Sequence, residues 1–285
     1  MFRISVAASV LVVLFSGCAT QHAGTERYQP LMAQGGKDVM WMPTTNKLVT
    51  EMLETAQVTS TDVVYDLGAG DGKIAIEAAR RFSARAVGIE FNPDLAALAR
   101  RNAQQAGVSD RVTIVTGDIF QEDFSHATVV TLYLLTQLNI KLKPALLTMK
   151  PGTRIVSNTF AMGAWEPDAT ILAEGEVSGY FWVVPAKVEG RWAFTGLHNG
   201  SAAEVQITQK SQKFDGDLII DQTFSQRIEG RLRGAQISFE FHDDKNQPQT
   251  FVGIVSANKI HGTIKQIPGS IVIATKAQRR HDESI

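Results

Sequence analysis

The apolar periodicity of this chain changes once and does not change back. From about residue 44 to about Trp165 it alternates between the helical and the extended repeat. Leu48, Val49, Met52, Leu53 and Ala56 share one helical face. Val63–Leu67 reads as a short buried strand, and Lys73–Phe82 is again helical. Ala84–Phe91 reads as a second strand, followed by a helix that Asn92-Pro93 starts and Gly107 ends. Val112–Val115, Ala127–Leu135 and Arg154–Ser157 add further strands. A helix over Leu138–Met149 precedes Lys150-Pro151-Gly152. Strands alternating with helices pack as a parallel sheet covered on both faces.

After about Trp165 the helical repeat is gone. Thr170–Val177 and Tyr180–Val184 read as paired strands. From Gly190 onward the segments RWAFTG, AEVQITQ, GDLIID, FSQRIEG, QISFEFH, TFVGIVS, KIHGTIK and SIVIAT are short and alternating, with HDDKNQPQ and SANK as hairpin turns. In Gln236–His242 the residues Ile237, Phe239 and Phe241 fall on one side. About eight such strands predict an antiparallel barrel or sandwich. The expected plan is an α/β domain over 40–189, a β-rich domain over 190–276 and a tail over 277–285.

The N-terminus has a different character. Arg3 precedes an apolar run, Ile4–Phe15, and then Ser16-Gly17-Cys18. As a helix this run rises only about 18 Å, short of the roughly 30 Å of a bilayer core. Charged start, short apolar centre and small residues are the layout of a signal peptide over 1–18. Cys18 is the one cysteine of the chain. LFSGC resembles the lipobox of bacterial lipoproteins, with Phe15 in the aliphatic position, which implies lipidation at Cys18. Residues 19–39 read as a polar tether. The expectation is a membrane-associated protein of the cell envelope, held by its N-terminus or by lipid. A lone cysteine leaves no disulfide to stabilise the fold. The formal net charge is −1, which gives no electrostatic reason to expect a nucleic-acid partner. The histidines show no metal-ligand spacing, so no metal is expected.

The stretch VVYDLGAGDGKIAIEAARR, residues 63–81, places a glycine-rich loop between a strand and a helix. Ligands of open α/β sheets bind at such carboxyl strand ends. A nucleoside triphosphate is a poor match, because Leu67 stands where the first P-loop glycine belongs and Ile74 replaces the magnesium-binding hydroxyl. A dinucleotide is a poor match as well, since Asp66 and Asp71 would repel its pyrophosphate. A ligand with a carboxylate and an ammonium fits better: the helix N-terminus offers N–H groups to the first, and nearby acid meets the second.

DLGAGDG resembles the first motif of the class I S-adenosylmethionine-dependent methyltransferases. Glu90 stands at the end of the second strand, in AVGIEF, and Gly117-Asp118-Ile119 ends the third. The resemblance implies a seven-stranded, Rossmann-like sheet with S-adenosylmethionine as cofactor. Asp66, Gly68, Ala69, Gly70, Asp71 and Gly72 would hold its amino-acid end, Glu90 its ribose hydroxyls, and Asp118 with Ile119 its adenine. More narrowly, WMPTTNKLV, VVYDLGAGDGKIAIEAA, VVTLYLLTQLN and LKPALLTMKPGTRIVSNTF are similar to the lysine methyltransferases of the mitochondrial ATP synthase c-subunit and their prokaryotic relatives. That likeness covers residues 40–185, with the 170–184 hairpin as the last strands of the sheet. It implies methyl transfer to an amine, a protein lysine or a small amine. The family's aromatic-x-Pro-Thr segment is met by Trp41-Met42-Pro43-Thr44, with Trp41 replacing tyrosine.

Methyl transfer needs alignment and desolvation more than a strong base. Tyr133 is the first candidate for an acceptor-side contact, since its ring can hold a cation and its hydroxyl can accept an amine N–H. It reads equally as a core strand aromatic. Thr131 and Asn158 are further candidates near the same rim. Trp182 and Trp192 read as core or junction residues. A competing expectation is a non-enzymatic envelope lipoprotein with a vestigial nucleoside pocket and a β domain for partner binding.

Overall fold

The structure, a computed structural model, describes residues 44–173, 176–198, 201–222 and 224–277, together with Tyr28, Pro30, Leu31 and Met42. The Ile4–Phe15 run, Cys18, most of the 19–39 segment, Trp41, Pro43 and residues 278–285 lie outside the described residues.

The first half alternates as its periodicity requires. Helix α1 (Asn46–Thr55) is capped by the Thr45 hydroxyl, which accepts from the Leu48 N–H, and buries Val49, Met52 and Leu53. Then follow β1 (Val63–Leu67), α2 (Lys73–Phe82), β2 (Arg85–Glu90), α3 (Pro93–Gln105) and β3 (Val112–Thr116). At the start of α3 the Asn92 side chain accepts from the N–H groups of Asp94 and Leu95, with Pro93 in the first turn. Next come β4 (Val129–Leu132), α4 (Thr136–Leu146) and β5 (Arg154–Asn158). The hairpin β6 (Ala169–Ala173) and β7 (Glu176–Val183) completes a seven-stranded sheet of order β3-β2-β1-β4-β5-β7-β6. Strand β7 is antiparallel to both its neighbours, and the others run parallel. The strand order reverses between β1 and β4, so a crevice opens above their carboxyl ends.

Three local expectations shift. The β4 ladder covers only Val129–Leu132, because Tyr133–Leu135 leave the sheet to start α4. Helix α4 starts earlier and ends earlier than its apolar pattern suggests. It contains Pro144, and its last turn tightens into shorter-range bonds such as Met149 N–H to the Leu146 carbonyl at 3.2 Å. Strand β6 ends at Ala173 and β7 starts at Glu176, so Gly179 lies inside β7. A Cβ on Gly179 would sit 2.8 Å from the Ser157 carbonyl oxygen. This glycine therefore serves close strand approach and not a turn.

The second half is a closed antiparallel barrel: β8 (Gly190–His198), β9 (Ser201–Lys210), β10 (Lys213–Ile220), β11 (Phe224–Arg233), β12 (Gln236–His242), β13 (Pro248–Ser256), β14 (Lys259–Ile264) and β15 (Val272–Lys276). Strand β8 pairs with both β9 and β15, which closes the ring. Its interior is a packed core. Phe194, Phe239 and Phe251 meet with ring centroids 5.0–6.0 Å apart, and Val205, Leu218 and Leu232 are fully buried beside them. Trp192 belongs to this core, and Trp182 to that of the sheet.

The barrel docks on the amino edge of the parallel strands. The Ala186 N–H donates to the Gly234 carbonyl at 2.8 Å. Gly234 lies against Gly152 and Val183, and Arg231 meets Asp168 at 2.8 Å. Gly152 precedes β5, Asp168 precedes β6, and Val183 ends the antiparallel β7. All three mark the end of the sheet opposite to the carboxyl rim.

Candidate functional site

The loop after β1 is held by backbone. Both Gly68 and Ala69 donate their N–H groups to the Ile89 carbonyl, at 2.9 and 3.0 Å, which fastens the loop to β2. Gly72, at the N-cap of α2, has φ 83. A Cβ there would be strained and would meet the Ala99 Cβ at 3.0 Å, so glycine lets α2 begin directly against α3. The first turn of α2 carries no acidic residue, which leaves its free N–H groups for an anion. Asp71 is fixed twice: its carbonyl accepts from Asn102 Nδ2 at 2.9 Å, and its carboxylate from the Lys73 N–H at 3.3 Å.

Glu90 is buried at the end of β2. Its Oε2 accepts from the Gly70 N–H and its Oε1 from the Asn92 N–H, each at 2.8 Å. A carboxylate oxygen can accept more than one bond, so each keeps capacity for a ligand hydroxyl. The Gly117 N–H donates to the Glu90 carbonyl at 3.0 Å and passes the alignment to β3. Asp118 and Ile119 are half-buried there. Asp118 Oδ1 accepts from the Phe120 N–H at 3.0 Å, while its carbonyl accepts from Gln121 and Glu122. The structure thus brings the residues from Asp66 to Gly72, Glu90, and the Asp118-Ile119 pair to the carboxyl ends of three adjacent strands. Adjacent strands lie about 4.8 Å apart, and a nucleoside spans such a distance.

Asp66 sits where the strand order reverses. It is 2% exposed, and its pKa is pushed up to about 7. Burial is the main cause. The hydrogen bond from Thr131 opposes it, and the negative charges of Asp71 and Glu90 add to it. Thr131 is directly opposite Asp66 in the β1–β4 ladder, fully buried, and donates its hydroxyl to Asp66 Oδ1 at 2.7 Å. Its hydroxyl serves the carboxyl group of Asp66, which makes Thr131 a partner of the loop and not of an acceptor.

Beyond β4 and β5 the rim is aromatic. Half-buried Tyr133 stacks on Phe160, with centroids 6.3 Å apart and planes 27° apart. Asn158 is buried; its Nδ2 donates to the Thr44 hydroxyl at 3.3 Å, and its Oδ1 accepts from the Thr159 hydroxyl at 2.8 Å. Thr159 has φ 59, a costly backbone for a β-branched residue. Its N–H donates to the Ser178 carbonyl at 2.9 Å. Thr44 is also tied to the glycine loop, since Lys73 Nζ donates to its carbonyl at 2.8 Å.

Sequence reasoning did not single out Lys73, Asn102, Phe160 or the role of Thr131. Each acts on a residue distant in the chain, and only the register of Asp66 against Thr131 could have been inferred from β1 and β4 being neighbours.

Comparison with known proteins places the first half of the chain. The ANTKMT methyltransferase domain matches residues 66–169. A protein-lysine N-methyltransferase of Saccharolobus islandicus is 47% identical over 138 residues, covering 48% of this chain and 86% of that protein. An adenine nucleotide translocase lysine N-methyltransferase of Mus musculus is 33% identical over 120 residues, covering 42% of this chain and 51% of its own length. A crystal structure of an RNA methyltransferase from Salinibacter ruber, in complex with S-adenosyl-L-homocysteine, is 52% identical with a TM-score of 0.50. It covers 52% of this chain and 96% of that one.

Proposed function

The chain belongs to the family of S-adenosylmethionine-dependent protein-lysine methyltransferases, and from that premise we propose that it methylates a protein lysine, with the cofactor on the rim formed by β1, β2 and β3 and the acceptor beyond β4 and β5. S-adenosylmethionine supplies an activated methyl group on a sulfonium. The observation that carries the assignment of the site is the charge pattern around Asp66. Asp66 is buried beside Asp71 and Glu90, and its carboxyl is held at about 7 chiefly by that burial and further by the two neighbouring charges, so a ligand that brings an ammonium matches it. Asp71 already takes the Lys73 N–H, and the remaining N–H groups of the first turn of α2, which carries no acidic residue of its own, suit the carboxylate of the same ligand. Glu90 and Asp118 are spaced along the rim for ribose and adenine.

The residues of this chain have three tasks. Asp66 and the loop amides orient the amino-acid end of the cofactor. Glu90 fixes its sugar, and with it the direction of the methyl group. Tyr133 and Phe160 form an aromatic wall on the acceptor side, where they exclude water and favour the neutral amine that can attack. Asn158 supports that wall through Thr44 and Thr159. No strong base is required, because an amine that enters neutral is already nucleophilic.

The test is incubation with methyl-labelled S-adenosylmethionine, using extract protein and total RNA as separate acceptors. Label recovered as methyl-lysine supports the reading, whereas label in RNA alone overturns it in favour of nucleic-acid methylation. The location is a second part of the proposal. S-adenosylmethionine is made in the cytosol, so the Ile4–Phe15 run, too short to span a bilayer core, would hold the enzyme at the cytosolic surface of the membrane. A topology reporter fused to the C-terminus should report a cytosolic position; an external position would reject the anchor.

A further inference from the structure

We propose that the barrel is a positioning device for the acceptor side of the methyltransferase site, acting through the strap of residues 159–168. The proposal rests on the reading that Tyr133 and Phe160 face the acceptor.

The strap leaves β5 at the carboxyl rim and runs to the amino edge, where β6 begins. Its first residues build the aromatic wall. Thr159 takes a left-handed backbone, with φ 59, that turns Phe160 onto Tyr133. The Phe160 carbonyl accepts from the Ser157 hydroxyl at 2.7 Å and from Asn139 Nδ2 at 3.0 Å. The middle of the strap is locked into the core. Met162 and Trp165 are fully buried, and the Trp165 carbonyl accepts from Trp182 Nε1 at 2.9 Å.

The far end is held by the barrel. Buried Gln212, in the β9–β10 turn, donates to the Glu166 carbonyl at 2.6 Å. Lys213 meets the Glu166 carboxylate at 2.7 Å. Asp168, whose side chain is 5% exposed, takes Arg231 Nη2 on Oδ1 and the Val183 N–H on Oδ2, both at 2.8 Å. The exposed Lys213–Glu166 pair contributes little by itself. The near-buried Asp168 is different, because loss of Arg231 leaves an uncompensated charge between the strap and β7. A β-branched residue in a left-handed backbone persists only where its surroundings hold it. Residue 159 is held at one end by β5 and β7, and at the other through a rigid strap that the barrel anchors.

This arrangement gives the barrel a task although it lies at the opposite end of the sheet from the cofactor loop. The loop is fastened separately: Gly68 and Ala69 bond to β2, and Gly70 bonds to Glu90. Release of the strap should therefore affect the acceptor and spare the cofactor.

The experiment compares the full chain with Arg231→Ala, Arg231→Lys and the double variant Lys213→Ala/Arg231→Ala. Amide exchange in peptides covering 158–165, S-adenosylhomocysteine affinity by calorimetry, and methyl transfer to poly-L-lysine are measured. The expected result for the alanine variants is at least fivefold faster exchange in 158–165, unchanged S-adenosylhomocysteine affinity, and a raised acceptor KM with little change in kcat. Arg231→Lys should restore most of the difference. Unchanged exchange in 158–165, or a parallel loss of cofactor affinity, overturns the proposal. If poly-L-lysine is not methylated by the unaltered chain, the choice of acceptor fails, while exchange and cofactor affinity still decide the coupling.

Discussion

Gly70 donates its backbone N–H to Glu90 Oε2 across 2.8 Å, and this bond ties the glycine loop of β1 to the acid that ends β2. The other oxygen of Glu90 holds the Asn92 N–H at 2.8 Å, so the carboxylate is preorganised before any ligand arrives. Glu90→Gln presents an N–H₂ group to one of these two backbone donors. It should cost about 2–3 kcal/mol of cofactor binding, or roughly a hundredfold in affinity, from the lost charge-assisted bonds. Calorimetric titration with S-adenosylhomocysteine checks this; unchanged affinity would remove Glu90 from the site.

Asp66 predicts a pH dependence. Its pKa in the fold is about 7, raised from 3.8. Between these values the folded chain keeps a proton that the unfolded chain has released, so the contribution of this group to stability falls as pH rises from about 4 to about 7. A ligand ammonium favours the carboxylate, so binding expels the proton. S-adenosylhomocysteine affinity should rise up to tenfold per pH unit below 7 and level off above it. Titrations in buffers of different ionisation enthalpy should show about one proton released at pH 6. Asp66→Asn should abolish both effects.

The parallel sheet was legible because its signals are local. Val63–Leu67 and Lys73–Phe82 are apolar runs with clear periods, and their ends coincide with β1 and α2. The places of the loop, Glu90 and Asp118 in the fold were legible for the same reason, since the loop follows β1, Glu90 is the last residue of β2 and Asp118 stands two residues past β3. The acceptor side was not. Phe160 becomes a partner of Tyr133 only through the left-handed Thr159, a backbone state that a threonine does not announce. Thr131 lies in a strand whose apolar neighbours hide its pairing with Asp66 across the ladder. The closed barrel was legible as strands and turns, but its closure depends on β8 pairing with β15, almost eighty residues away.

Lys73 joins two parts of the site, through its bond to the Thr44 carbonyl at 2.8 Å. Lys73→Met keeps most of the unbranched stem of the side chain and removes the donor. The segment before α1 should then loosen, with a loss of about 1 kcal/mol of stability or less and a several-fold rise in acceptor KM. Steady-state kinetics with the lysine acceptor identified by labelling checks it. A loss confined to cofactor affinity would assign Lys73 to the cofactor instead.

Stability should depend on a different pair. Asp62 precedes β1 and forms an ion pair with Arg154 of β5. Arg154 also donates to the carbonyls of Ala56 and Gln57, both at 2.9 Å. Burial raises the pKa of Asp62, but bonds from Thr128, Thr59 and Arg154 outweigh it and hold the group below its usual value. Its stabilisation is present above the unfolded pKa and lost as pH falls through the lower folded one, below about pH 4. Arg154→Ala should cost roughly 3 kcal/mol, since it strands a buried carboxylate. Urea unfolding at pH 7 and pH 3.5 should show that cost shrinking in acid.

The most direct test of the central claim is a diffraction structure of the chain grown with S-adenosylhomocysteine. The account predicts the ribose hydroxyls on Glu90, the adenine beside Asp118, and the amino group near Asp66, with the sulfur facing Tyr133 and Phe160. A nucleoside bound elsewhere, or a rim in which Glu90 and Asp118 contact different ligands, would contradict it.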